Sequence, residues 1–134
     1  MSPTIDARLA RFPRWIGLVG GASLVAFGVW AMVGPRSFFD NLATFDPYNQ
    51  HLIQDIGAFQ IGLGAVLLLA AVPRRPDALG IALLGVGAGM VAHVVSHIVG
   101  HDLGGTPAVD IPVFSVLAGQ LLAGGLVRCA ASSR

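Results

Sequence analysis

The chain has 134 residues, 54% of them hydrophobic and only 11% charged, and its mean hydropathy is +0.75. That composition is too apolar for a soluble domain of this length and places the chain among integral membrane proteins. With eight Lys/Arg against seven Asp/Glu, a formal net charge of +1 and a single cysteine, Cys129, it carries neither the basic footprint of a nucleic-acid binder nor the means for an intramolecular disulfide.

Four apolar runs are legible, at about 15–33, 52–72, 78–99 and 111–127, and they predict one all-α domain over residues 1–134, a four-helix bundle that spans the membrane four times. The first run follows Arg8, Arg11 and Arg14 as a secretory signal would. It is longer than an h-region and no small-x-small cleavage pattern precedes Gly34-Pro35, so a retained span is expected. The fourth run is the shortest, at about 25 Å when helical.

Seven of the eight arginines (8, 11, 14, 74, 75, 128 and 134) fall at the two ends or in the second loop; only Arg36 lies elsewhere. The positive-inside rule then puts both termini in the cytoplasm and the first and third loops outside. Trp15 is expected at the inner interface, with Trp30 and Tyr48 at the outer one. The first outer loop, 34–51, is long and aromatic. Phe38, Leu42 and Phe45, with Phe39 beside them, would share one face of a short interfacial helix capping the bundle; the alternative is an irregular loop over its mouth. The second loop, Pro73-Arg74-Arg75-Pro76-Asp77, is tight enough to make the second and third spans antiparallel neighbours, with Asp77 at the head of the third span.

Glycines fill 18 positions. Gly17 with Gly21, Gly85 with Gly89, and Gly119 with Ala123 have the spacing that lets helices approach closely in lipid, either within the bundle or in a homo-oligomer or complex with another membrane protein.

All four histidines lie near the outer boundary. His51 and Asp55 open the second span one turn apart, and His93, His97 and His101 close the third at intervals of four, so that Asp55 and His97 have similar depth. If the two helices turn these faces together, His51, Asp55, His93, His97 and His101 form one layer. His93 and His97 are the first choice of ligands for a divalent metal, with Asp55 as third ligand or orienting group and His51 or His101 completing the shell. The same layer could serve haem or a quinone, a small organic substrate or proton path, or no ligand at all, as a hydrogen-bonded network of buried polar groups. Asp55 needs a partner, and the candidates are His97, His51 and Arg36. Asp110 suits the start of the fourth span as a cap, and Gln120 within that span can bond a neighbouring helix.

The stretches Pro35-Arg36-Ser37-Phe38-Phe39, Pro47-Tyr48-Asn49-Gln50-His51-Leu52-Ile53-Gln54-Asp55-Ile56-Gly57-Ala58 and His93-xxx-His97-xxx-His101 resemble a group of small four-span bacterial membrane proteins in the neighbourhood of DoxX-like proteins. The resemblance implies the same topology, a location in the bacterial plasma membrane, and a site near Arg36, Tyr48 and Asn49 as well as the histidines. The chain departs from the group's pattern at Phe39, where Tyr is expected, at Gln50, where Glu is expected, and at Gln54, where Arg is expected. The group has no agreed activity, and the link of DoxX-like relatives to quinone-coupled sulfur oxidation keeps quinone contact among the expectations. Two functions therefore stand first, binding of a metal, cofactor or small ligand at the His/Asp cluster, or a non-enzymatic role as an accessory or oligomeric subunit; a quinone- or haem-linked redox protein is the third.

Overall fold

A computed structural model describes the backbone of residues 3–72 and 76–132 and the side chains of residues 11–72 and 78–131. All regular structure among these residues is helical: α1 (Pro3–Val33), α2 (Pro35–Phe38), a π-helical turn (Phe39–Ala43), α3 (Gln50–Ala70), α4 (Pro76–Val99) and α5 (Pro107–Ser132). Within them, Arg11–Val33, Gln50–Ala70, Ala78–Val99 and Pro107–Ala131 are long and apolar enough to cross a bilayer. The protein is an integral membrane four-helix bundle. Of the loop expected at 73–77, residues 73–75 lie outside the described residues, as does the side chain of Asp77, and α4 already begins at Pro76.

The fourth span is longer than its hydropathy suggests. Asp110 and Arg128 cut the apolar run at both ends, but helical hydrogen bonding passes through both of them. Pro107 occupies the first helical position, where a missing N–H costs nothing, and the Thr106 carbonyl accepts from the amides of Val109 and Asp110 at 2.8 Å each.

The four long helices form two tightly closed hairpins, α1 with α3 and α4 with α5; α1 also packs along α5, while α3 and α4 share much less surface. Glycines decide the first pairing. A Cβ placed on Gly28 would stand 2.6 Å from the Gly57 carbonyl oxygen, and one on Gly57 would stand 2.8 Å from that of Gly28. The same reciprocal approach recurs at Gly21 and Gly64, where the distances are 2.9 and 2.6 Å. Backbones this close gain van der Waals and Cα–H···O contact, the main source of helix association where lipid removes the hydrophobic drive. In the second hairpin a Cβ on Gly125 would meet Leu84 at 2.7 Å and one on Gly87 would meet Leu122 at 2.9 Å. The second and third spans, expected as the close antiparallel pair, are thus the looser neighbours.

The expected glycine pairs divide. Gly17 and Gly21 pack inside the bundle, whereas Gly85, Gly89 and Gly119 have no atom within 4 Å of an added Cβ and lie on its outside.

At the end of the bundle away from the termini, the α1–α3 connection folds as a cap. Phe38 and Phe39 are buried with Ala31 and Ile53, flanked by Trp30, Phe45 and Tyr48. Trp30 meets Phe38 edge-on at 5.3 Å, and Phe39 meets Phe45 at 5.5 Å and Tyr48 at 5.0 Å. The helical cap is as expected, but its buried face is set by Phe38 and Phe39. Leu42 points outward with 46% of its surface exposed, because the wider π turn shifts the residues after Phe39 around the axis. Phe45 reaches the cluster from beyond the turn.

Candidate ligand site at the capped end of the bundle

His93 and His97 stand one turn apart on α4 and both turn toward α5. Their rings meet edge-on with centroids 4.7 Å apart. The Phe114 ring on α5 lies 4.7 Å from His93 and 5.2 Å from His97, so three rings form one contiguous patch. Behind it, Nδ1 of His97 lies 3.8 Å from Oδ2 of Asp110, and both side chains are about four-fifths buried. That separation exceeds a hydrogen bond, but a carboxylate on the Nδ1 side favours the tautomer protonated there and leaves the Nε2 lone pair free for another partner. Ser96 Oγ donates to the His93 carbonyl at 2.7 Å.

Asp110 is held from its own helix. Its Oδ2 accepts the Thr106 amide at 2.7 Å, satisfying one of the N–H groups that a helix start leaves without a partner. Asp110 thus serves the helix start, but from within its first turn rather than as the residue before it, and the same oxygen faces His97. Above it, Gly105 has φ +78°, and a Cβ there would stand 2.9 Å from Asp110 Oδ2 and 3.9 Å from His97 Cε1. The neighbouring Gly104, at φ +124°, lets the turn lie on the backbone of Thr44 and Phe45, and the Gly105 amide donates to the Thr44 carbonyl at 3.2 Å. The loop over the second hairpin is thus bonded to the aromatic cap of the first.

The other expected site residues lie elsewhere. His51 Nε2 is 3.4 Å from Asp55 Oδ2 on α3, and both side chains are at least half exposed. Asp55 thus takes His51 as partner, and His97 takes Asp110. The reason is the hairpin pairing: α4 closes on α5, while α3, which carries Asp55, closes on α1. His101 lies beyond the end of α4 and is exposed. Among the described residues, no group of three or more His, Cys, Asp or Glu is assembled closely enough to hold a metal ion.

Arg36, Tyr48 and Asn49 form a separate feature. The Arg36 guanidinium lies 4.9 Å from the Tyr48 ring centroid and 5.5 Å from that of Phe39, and its Nε is 3.1 Å from the Asp40 carboxylate. Asn49 caps α3, accepting from the Leu52 amide at 3.1 Å. Gln54, the position where an arginine was expected, reaches across to the Met32 carbonyl of α1 at 3.3 Å.

No family model, curated protein or solved structure matches this chain.

The site therefore has to be read from its own chemistry. Two imidazoles and an aromatic ring offer hydrogen-bonding nitrogen beside a flat apolar surface, with His93 exposed and His97 backed by a carboxylate. Sequence reasoning overlooked Phe114 altogether and saw Asp110 only as a cap. The available signal was the shortness of the 100–106 connection, which brings the head of the fourth span to the level of His97, with Phe114 one turn further along.

Proposed function

We propose that the protein binds a small ligand at the patch formed by His93, His97 and Phe114, with Asp110 orienting His97. The observation that carries this reading is the backing of His97 by a largely buried carboxylate beside a second imidazole, an arrangement that leaves imidazole nitrogen available next to an aromatic face. Such a surface suits a planar organic group with hydrogen-bond donors, of which a quinol headgroup reaching the site from the bilayer and donating its hydroxyl to His97 Nε2 is the leading case. A divalent cation would need donors beyond those assembled here. The Pro35–Phe39, Pro47–Ala58 and histidine motifs support a place in the DoxX-like neighbourhood, and hence in a bacterial plasma membrane. The arginine distribution supports cytoplasmic termini, with the site near the outer face.

Equilibrium binding of a short-tailed benzoquinol, kept reduced, to detergent-purified protein tests the proposal. Saturable binding that weakens at least about tenfold in His97→Ala, the loss of one charged or strong hydrogen bond, is expected. Equal binding by wild type and variant would overturn it, and Zn²⁺ binding with the same His97 dependence would favour the metal reading instead.

A second reading, an oligomeric or accessory subunit, has one observation in its favour. Gln120 is exposed midway along α5, on the face that carries the open Gly119 and Ala123. An amide in hydrocarbon gains by pairing with a neighbouring helix. Native mass spectrometry of wild type against Gln120→Leu distinguishes this case: assembly lost in the variant supports it, and a monomer in both opposes it.

A further inference from the structure

At the opposite end of the bundle, where the membrane-spanning part of α1 begins, a groove of about 390 Å³ is lined by Arg11, Arg14, Trp15 and Leu18. These four positions follow the three-and-four spacing of one helical stripe, so their side chains emerge on the same side of α1 one above another. Arg11 opens the membrane-spanning part of α1, and the other three follow it inward along the helix. Both arginines are exposed, Trp15 is 64% exposed, and Leu18 is half-buried. Among the described residues neither arginine has an ion-pair partner, and no described carboxylate lines the groove.

We propose that this groove binds the phosphate headgroup of one anionic phospholipid. The volume falls in the range of small-ligand sites. Two guanidiniums a turn apart present several N–H donors to phosphate oxygens, a geometry that arginine meets with paired bonds and lysine only as a point charge. Trp15 sits just below, where an indole favours the level of the headgroups and glycerol. Leu18 lies one turn deeper, against the first carbons of an acyl chain. Charge, interfacial aromatic and apolar contact thus occur in the order in which a phospholipid presents phosphate, glycerol and hydrocarbon. A second phosphate or a glycerol hydroxyl in the headgroup gives the guanidiniums a further acceptor, whereas the ammonium of a zwitterionic lipid repels them.

The test uses the full-length protein in phosphatidylcholine nanodiscs doped with phosphatidylglycerol, with retained lipid read by native mass spectrometry after mild release. One phosphatidylglycerol should remain bound in preference to phosphatidylcholine. Arg11→Gln and Arg14→Gln should each weaken that preference about fivefold, the effect of one basic residue near an anionic surface. Arg36→Gln, at the other end of the bundle, should leave it unchanged, and the double Arg→Lys variant should keep part of it. Excess inorganic phosphate should neither bind to the protein in pure phosphatidylcholine discs nor displace phosphatidylglycerol from the doped ones. Equal retention of the two lipids would overturn the proposal, as would equal losses in the Arg36 variant. Phosphate that occupies the groove as well as the lipid does would show a site for the free anion instead.

Discussion

Nδ1 of His97 on α4 lies 3.8 Å from Oδ2 of Asp110 on α5, the same oxygen that accepts the Thr106 amide at 2.7 Å. One carboxylate therefore starts a helix and faces an imidazole of its neighbour. Asp110→Asn keeps an acceptor for the amide but removes the charge, whereas Asp110→Ala removes both. Alanine should cost about 1.5–3 kcal/mol, as for hydrogen bonds to charged groups, and asparagine distinctly less. In a double-mutant cycle read by thermal unfolding in detergent, Asp110→Asn and His97→Gln should couple by at least about 0.5 kcal/mol. Asp55→Asn and His97→Gln should be additive. Coupling between Asp55 and His97 would reverse the assignment of partners.

Gly105 is the point where backbone and site meet. Its φ of +78° lies in the left-handed region, and a Cβ would press on Asp110. Gly105→Ala should lose about 1–2 kcal/mol from backbone strain alone and should also weaken ligand binding at His97. Gly89→Ala on α4, where an added Cβ meets nothing within 4 Å, provides the comparison. A Gly105→Ala protein with unchanged melting temperature would mean that the turn has another conformation available.

The aromatic cap gives a contrast between adjacent turns. Phe38 is 3% exposed and Leu42 is 46% exposed. Phe38→Ala should destabilise by about 3–5 kcal/mol, and Leu42→Ala by no more than about 0.5 kcal/mol. Comparable losses from the two would place Leu42 on the buried face after all.

These contrasts mark how far the sequence could be read. Hydropathy located all four spans because the bilayer fixes a minimum apolar length, and it misplaced only ends such as Asp110 and Arg128, where polar residues continue a helix. The aromatic cap was recognisable in Phe38 and Phe39, but the outward turn of Leu42 depends on a π-helical step that no residue type announces. Pairing was the least legible feature. The tight 73–77 loop suggested that the second and third spans close together, and the histidine layer was built on that assumption. Pairing was decided by which glycines face one another across space, a relation between Gly28 and Gly57 that sequence separation conceals. Once α4 closes on α5, Asp110 replaces Asp55 as the partner of His97.

The same glycines allow a direct check of packing. Gly28→Ala puts a methyl group 2.6 Å from the Gly57 carbonyl oxygen and 2.7 Å from Ile61, with backbone on one side and no room to move. Overpacking of this kind should cost about 1–3 kcal/mol. Gly62→Ala, which meets nothing within 4 Å, should be neutral or gain up to about 1 kcal/mol from helix propensity. Melting curves of the two variants in one detergent settle the matter: a Gly28→Ala protein as stable as Gly62→Ala would contradict the close approach of α1 and α3.

The division into two hairpins has a consequence for how the protein is made. The aromatic cap belongs wholly to α1, α3 and the residues between them, and the patch of His93, His97, Asp110 and Phe114 belongs wholly to α4 and α5. Each half can therefore complete its main interface as soon as its own second helix has entered the bilayer. The cap needs nothing from the second hairpin and the patch nothing from the first, and the hydrogen bond from Gly105 to Thr44 joins the two halves. Association of the spans is thereby divided into two pairings and one docking.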